Sequence, residues 1–482
     1  MDRLPIPPAL SSQGGTPSRE GVPADPAEAL FFEGNRSLAA GDLLGAERSF
    51  RTAVLISPRS AESLSNLGLV LDRMGRHAAA ESCYRRSLQL QPNHSETHLN
   101  LGVLLARAKR LNDAEAAYLH AIALAPALPA AWTNLGALHA SSGREAEAER
   151  CHRQALALDP FHVNARFNLA YVLLRQGRFD EGWLCLEARD WYGAHAARFD
   201  CPRWRGEPLA GKSIVLACEA GHGDMIQFIR YAPLLKALGA ARVGVVCHPG
   251  LVRLFRGVAA LDAVHSYAEP FPAAGWDFWC PPLSLPLWCG RSGAPMPDTV
   301  PYLHADAALV AQWSERIPPA SHAAGAPRVG LVWKGNPRFE NDAARSLPGL
   351  SVLAPLAETG MRFVGLQKGA GEDEGDDWPH GVANPHGLAN LGPRLGDFAD
   401  TAAVVAQLDL VISVDTAVAH LAGALGKPCW ILLPAYQTDW RWLKGRSDSP
   451  WYPGAVRLFR QQRDGDWEGV VKAVASALTA LR

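Results

Sequence analysis

Four prolines at one spacing constrain this chain more than any other feature. Pro58, Pro92, Pro126 and Pro160 each stand 34 residues from the next. The same period carries Leu67-Gly68, Leu101-Gly102 and Leu135-Gly136. It also carries Ala46, Ala80, Ala114 and Ala148, and Phe50, Tyr84 and Tyr118, with His152 in the fourth slot. Self-similarity at a fixed period of this size is the signature of a repeat architecture. Four matching units run 27–60, 61–94, 95–128 and 129–162, and a weaker fifth, lacking the closing proline, runs to about Ala196. Each unit reads as two amphipathic helices of about 12 residues. Gly41, Gly75, Gly143 and Gly177 share the slot between the helices, where a left-handed cap costs glycine least, and Lys109 is the exception. One unit cannot bury its own apolar face, so the units are expected to stack into a solenoid.

These residue types at this period resemble the tetratricopeptide repeat. Asn66, Asn100, Asn134 and Asn168 occupy one slot, one residue before the repeat leucine. In such repeats the first helix lines the concave surface, and an asparagine amide offers both donor and acceptor to a bound backbone. An asparagine ladder of this kind resembles that of the protein O-linked N-acetylglucosamine transferases, which implies a polypeptide acceptor or partner on the concave face. The alternative is that each asparagine bonds inside its own repeat.

Composition narrows the classes. At roughly 150 residues per domain, 482 residues suggest about three domains. A content of 48% hydrophobic and 20% charged residues excludes global disorder. Lys plus Arg is 47 and Asp plus Glu is 48, so the basic excess of a phosphate-binding nucleic-acid protein is missing. Nine cysteines without a CxxC pair indicate neither a zinc knuckle nor a dithiol redox site, and their odd count suits a reducing cytoplasm. Residues 1–26 read as disordered, without the apolar stretch of a signal peptide. The most apolar run, 408–434, is broken by Asp415, His420 and Lys427, so no integral membrane segment is expected. The expected location is the cytoplasm.

After Arg198 the pattern changes to short β-branched runs alternating with helical stretches. Ser213–Cys218, Val243–Cys247 and Trp276–Cys280 read as strands, with a helix over 225–238 after the turn Gly221-His222-Gly223-Asp224. A linker at 323–327 leads to a second set: Val329–Trp333, Arg362–Leu366, Leu408–Ser413, Cys429–Leu433 and Val456–Phe459, then a helix from Trp467 to Leu481. The expectation is α + α/β: an N-terminal tetratricopeptide solenoid over 27–196, then two Rossmann-like lobes over 197–322 and 327–482. Ligands bind at the carboxyl edge of such sheets.

The segment 409–428 (DLVISVDTAVAHLAGALGKP) is a strand followed by a helix. Asp415 is placed to cap that helix, whose free amides and dipole make an anion site. This segment resembles the donor-binding motif of family 9 glycosyltransferases, the heptosyltransferase-like enzymes of GT-B fold. The flanks 328–346, 361–369, 397–404 and 434–452 look like the bacterial branch that joins this domain to tetratricopeptide repeats. The resemblance covers residue 200 to the end. It implies an inverting, metal-independent sugar transfer from a nucleotide-diphosphate sugar as donor substrate, with no cofactor. The family's Asp-Thr-Gly-x-x-His falls on Asp415, Thr416, Ala417 and His420, with Ala417 departing from the glycine. Arg345, or Lys334, is the cation for the diphosphate. Gln367 and Lys368 are placed for nucleobase or ribose. A Gly-Asp at the first-lobe turn makes Asp224 the catalytic base, with His222 as runner-up; the bland alternative is that Asp224 only caps its helix.

Other clusters read as structure. Asp464-Gly465-Asp466 is a solvated turn and 372–377 an exposed acidic loop. Trp440, Trp442, Trp451 and Trp467 are core around the tail, with Trp440 or Arg441 near the donor as the minority reading. Two other functions stay open: transfer to a glycan or lipid-linked sugar, and a non-catalytic repeat scaffold with a relic sugar-nucleotide domain.

Overall fold

A computed structural model describes residues 25–189, 193, 197–270, 274–291, 293, 296–317, 326–339, 341–378, 387–435 and 437–481. Most of the N-terminal segment, the end of the fifth repeat toward Ala196, and residues 323–325 of the linker lie outside the described residues. The chain divides into two compact units, with the boundary between Val172 and Leu173.

The first unit is a stack of helix pairs: Pro26–Ala39 with Leu43–Ile56, Ala61–Arg73 with His77–Leu90, Ser95–Arg107 with Leu111–Leu124, and Pro129–Ser141 with Glu145–Leu158. The repeat glycine and the repeat aromatic explain the pairing. A Cβ at Gly68 would lie 2.7 Å from the Tyr84 ring, and one at Gly102 2.6 Å from Tyr118. Only a hydrogen at that position lets the helices close. Gly41, Gly75 and Gly143 have φ between 74° and 79°, and Lys109 takes the same left-handed conformation at 57°. At each of these turns the residue after the left-handed one bonds back to the last helical turn, as from Arg76 N to Leu71 O at 2.8 Å and from Arg110 N to Leu105 O at 2.9 Å. A second recurring pair joins neighbouring repeats: Glu47 to Arg76, Glu81 to Arg110 and Glu115 to Arg144. Exposed pairs of this kind are individually weak, since water screens them and two long side chains must be held still.

The second unit holds two parallel sheets. β1 (Ser213–Leu216), β2 (Arg242–Cys247), β3 (Ala263–Ser266) and β4 (Phe278–Cys280) lie in the order β3-β2-β1-β4. β5 (Arg328–Val332), β6 (Arg362–Gly365), β7 (Leu388–Asn390), β8 (Leu410–Val414), β9 (Cys429–Leu433) and β10 (Val456–Arg460) lie in the order β10-β9-β8-β5-β6-β7. All the pairings are parallel. The central strands are apolar on both faces, as parallel sheets covered by helices require. The helix Trp467–Thr479 lays Val470, Val471, Val474 and Leu478 on the second sheet's core.

Each sheet has one switch point, where the chain reverses its direction of growth: between β1 and β4, and between β5 and β8. In open α/β sheets, ligands bind beyond the strand carboxyl ends at such points. The segment after β1 carries Asp224, and the segment after β8 carries Asp415 and Thr416.

The second half of the fifth repeat packs into this α/β unit. Trp183, on the helix Phe179–Leu186, meets Phe228, Trp440 and Trp451 with ring centroids 6.2, 5.2 and 6.1 Å away. Arg189 is buried and donates to Glu219 at 2.5 Å and to Ser284 at 2.6 Å.

Candidate active site between the two lobes

The turn after β1 is more helical than its sequence suggests. Gly221 is the N-cap and the helix runs His222–Phe228, so Asp224 lies in its first turn and not in a loop. Asp224 Oδ2 accepts the Gly221 N–H at 2.7 Å. The carboxylate therefore caps its own helix, which leaves its other oxygen for a partner across the crevice.

On the far side, the helix Ala417–Ala424 follows β8. Its N-cap is Thr416, with no side-chain bond to the first-turn amides. This corrects the expectation that Asp415 caps the helix. Thr416 Oγ1 pairs with Ser413 Oγ at 2.9 Å, which leaves the dipole end of the helix uncapped. Burial pushes the Asp415 carboxyl up to about 6, helped by the nearby Asp439 and opposed by Arg345.

The two lobes touch here. A Cβ on Gly223 would lie 2.8 Å from His420 Cδ2 and 3.5 Å from Ala417 Cα. His420 is buried, stacks on Trp442 at 5.1 Å, and its Nδ1 meets Tyr452 OH at 2.7 Å. Burial, then the Arg441 charge, depresses the imidazole to about 3, so it is neutral. A neutral ring wedged this way serves as a wall that fixes the helix tip.

Arg441 joins the halves. It is part of the short 3-10 turn Trp440–Trp442, and its Nη2 ion-pairs with Asp224. Its Nε donates to Gln227 Oε1 at 2.6 Å, and its Nη1 reaches Asp439 Oδ1 at 3.0 Å and Oδ2 at 3.1 Å. The guanidinium lies 4.2 Å from the Trp440 ring centroid. Burial would raise the Asp439 carboxyl, but Arg441 outweighs it and holds the group down. Trp440, Trp442 and Trp451 are thus buried around this site, whereas Trp467 belongs to the core under the tail helix.

The remaining expected residues differ in how available they are. Arg345 bonds Asp342 through Nε at 3.2 Å and lies 4.4 Å over the Phe339 ring; its charge reaches Asp415. Lys334 ion-pairs with Glu374. Glu374 also accepts from Trp333 Nε1 at 3.2 Å and Leu350 N at 2.8 Å, so the acidic stretch 372–377 ties down the loop after β5 and is not merely an exposed run. Gln367 is buried. Its Oε1 accepts from Trp333 N and Lys334 N at 3.0 and 2.9 Å, and its Nε2 donates to Lys334 O and Ala370 O. It shapes the 333–335 backbone and does not present its amide to a nucleobase. Lys368 is exposed, with Nζ 3.5 Å from Pro393 O. His222 stacks between His248 at 4.2 Å and Phe398 at 5.1 Å, and burial, with His248, lowers it to about 4.

The repeat asparagines are not an open ladder. Asn66, Asn100, Asn134 and Asn168 are 1–3% exposed, because the repeat's close helix packing covers the slot. Asn66 Nδ2 donates to Asn35 Oδ1 at 2.8 Å, which ties one repeat to the next. Asn100 Oδ1, Asn134 Nδ2 and Asn168 Oδ1 have no partner among the described residues.

Among the described residues, no group of three or more His, Cys, Asp or Glu is placed to hold a metal, and no helix is long and apolar enough to cross a membrane.

Comparison with known families agrees with this architecture. Residues 59–127 and 133–183 match tetratricopeptide repeat models, and 353–432 match the model of glycosyltransferase family 9 (heptosyltransferase). Segments similar to tetratricopeptide repeats thus precede a segment similar to glycosyltransferase family 9. Protein FlbA of Caulobacter vibrioides is 31% identical over 332 residues, 64% of this chain and 54% of that protein. The match thus spans about half the length of this curated relative. Among solved structures, MamA from Desulfovibrio magneticus RS-1 is 21% identical, covering 34% of this chain and 93% of its own, with a TM-score of 0.31. A thermophilic tetratricopeptide-repeat protein of Thermus thermophilus is also 21% identical, covering 36% and 99%, with a TM-score of 0.32.

Proposed function

We propose that this chain is an inverting, metal-independent glycosyltransferase that moves a sugar from a nucleotide-diphosphate donor to a polypeptide held by the repeats. The observation that carries the reading is the direct meeting of two switch-point motifs: the helix of Asp224 lies against the helix that begins at Ala417, with Gly223 packed on His420.

The chemistry asks for three things. A base must take the acceptor's proton as its oxygen attacks the anomeric carbon. The bond from that carbon to the diphosphate must break with its electron pair on the leaving oxygen. Fixed positive charge must meet that oxygen. Asp224 is the base. The uncapped amide end at Thr416 and Ala417, with Arg345 behind Asp415, faces the diphosphate. Lys368 is the exposed group left for the nucleoside. Asp415 and His420 act by fixing this helix tip.

The polypeptide acceptor rests on the repeats. What supports it is the repeat array as a whole, since stacked helix pairs present an extended concave binding surface; the buried asparagines are not part of that surface. A second acceptor class, a glycan or lipid-linked sugar, is the alternative, and the matching family's description, heptosyltransferase, names no acceptor that separates the two.

A melting screen of the full chain against common nucleotide-diphosphate sugars tests the donor half. A ligand at 100 times its Kd stabilises the folded state by ~2.7 kcal/mol, so one donor is expected to raise the melting temperature clearly. No shift with any of them would defeat the reading.

A further inference from the structure

Arg441 makes more bonds than a lobe-to-lobe latch needs, and one of them is to the proposed base. Its Nε and Nη1 edges are fixed by neighbours, Gln227 Oε1 and the two oxygens of Asp439. Trp440 supports its plane from one face. Nη2 is the nitrogen that pairs with Asp224. Beside it, Gln227 Nε2 is buried and has no partner among the described residues. The group thus combines a rigidly held guanidinium with an unused buried N–H donor on the helix His222–Phe228, whose Gly223 packs against the helix that Thr416 leaves uncapped.

We propose that Arg441 is a diphosphate-binding residue that exchanges Asp224 for the donor. This rests on the sugar-transfer reading above and adds to it a trigger for the base. Without donor, Nη2 is paired with Asp224 Oδ1. A diphosphate is multiply charged and offers several oxygens to a planar guanidinium, so it outcompetes a single carboxylate for it. Gln227 Nε2 supplies a further donor. Asp224 Oδ1, released, then faces the acceptor hydroxyl, while Oδ2 keeps its bond to Gly221 N. As transfer proceeds, the hydroxyl proton moves to Asp224 and the electron pair of the broken bond stays on the diphosphate, where Arg441 already lies. The base is thereby exposed only when a donor is in place, which guards against non-productive chemistry.

Inorganic pyrophosphate is the probe, titrated calorimetrically into the full chain at low salt, with thermal melts to show that each variant folds. Arg441→Gln is expected to weaken pyrophosphate by about tenfold or more, the worth of a charge-assisted bond. Arg441→Lys, which keeps charge but loses the fork, falls between. Asp224→Asn is the diagnostic variant. It keeps an acceptor for Gly221 N but removes the competing charge, so pyrophosphate should bind several-fold tighter than to wild type. A purely structural ion pair predicts no tightening. Unchanged affinity in Arg441→Gln, unchanged or weaker affinity in Asp224→Asn, or no measurable binding to wild type would each overturn the proposal. If Arg441→Gln does not fold, the Asp224→Asn result decides alone. Failure of the sugar-transfer reading looks different: no nucleotide sugar shifts the melt, yet pyrophosphate still shows this pattern.

Discussion

Gly223 of one lobe and His420 of the other are in direct contact, so close that a methyl on residue 223 would stand 2.8 Å from the imidazole. The imidazole has no retreat, since Trp442 stacks behind it and Tyr452 holds Nδ1. The glycine is required by proximity and not by its backbone angle. Gly223→Ala should therefore force the lobes apart, costing ~1–3 kcal/mol as overpacking does. A lower melting temperature together with at least roughly tenfold slower transfer is expected, because a misplacement of about 1 Å is costly in catalysis. Unchanged values in both would contradict this packing.

Asp415 gives the site a pH signature. Its carboxyl rises from an ordinary 3.8 to about 6, mainly by burial. A raised acid binds its proton more tightly folded than unfolded. Its contribution to stability is therefore complete below pH 3.8 and is lost as pH climbs through 6. Asp415→Asn should abolish this slope and, at neutral pH, be more stable than wild type by on the order of 2 kcal/mol. Denaturation midpoints of both proteins across the acid-to-neutral range check it; parallel curves would refute it.

Lys109 is a repeat turn where a side chain occupies the left-handed slot that glycine fills at 41, 75 and 143. Replacing it with glycine removes a strain of ~1 kcal/mol, partly offset by the added freedom of the unfolded chain. A small upward shift in the urea midpoint of the repeats, with transfer unaffected, is the expected result.

Trp183 lies behind both halves of the site, against Phe228 on the Asp224 helix and Trp440 next to Arg441. Trp183→Ala should cost ~3–5 kcal/mol and reduce transfer. By the same reasoning, a chain beginning at Leu173 should fold, and one beginning at 197 should not, because it lacks this wedge and Arg189. Circular dichroism of the two truncations separates the cases.

How far the sequence disclosed this structure depends on the range of the interaction. The repeat was legible because its contacts recur locally at one period, down to the glycine that faces each aromatic. The strands that carry site motifs were legible as apolar runs. β3 (AVHS) and β7 (LAN) were not, being short and lacking a clear apolar pattern. Asp224 and Thr416 were singled out by motif, but the Arg441 bond to Asp224 spans 217 positions and no spacing announces it. Gln367 was placed at an open surface, and for the repeat asparagines an open and an internal reading both stood, because burial depends on neighbours that a single segment does not name. The same limit hid the membership of the Phe179–Leu186 helix in the α/β unit, which is decided by where Trp183 docks.

The most direct measurement concerns Asp224 itself. With the donor found by the melting screen and a polypeptide acceptor bound to the repeats, release of nucleoside diphosphate would be followed for wild type and Asp224→Asn. The account predicts loss of ~100-fold or more in turnover, the usual worth of a general base, with donor binding retained or tightened. Turnover equal to wild type in the variant would contradict it.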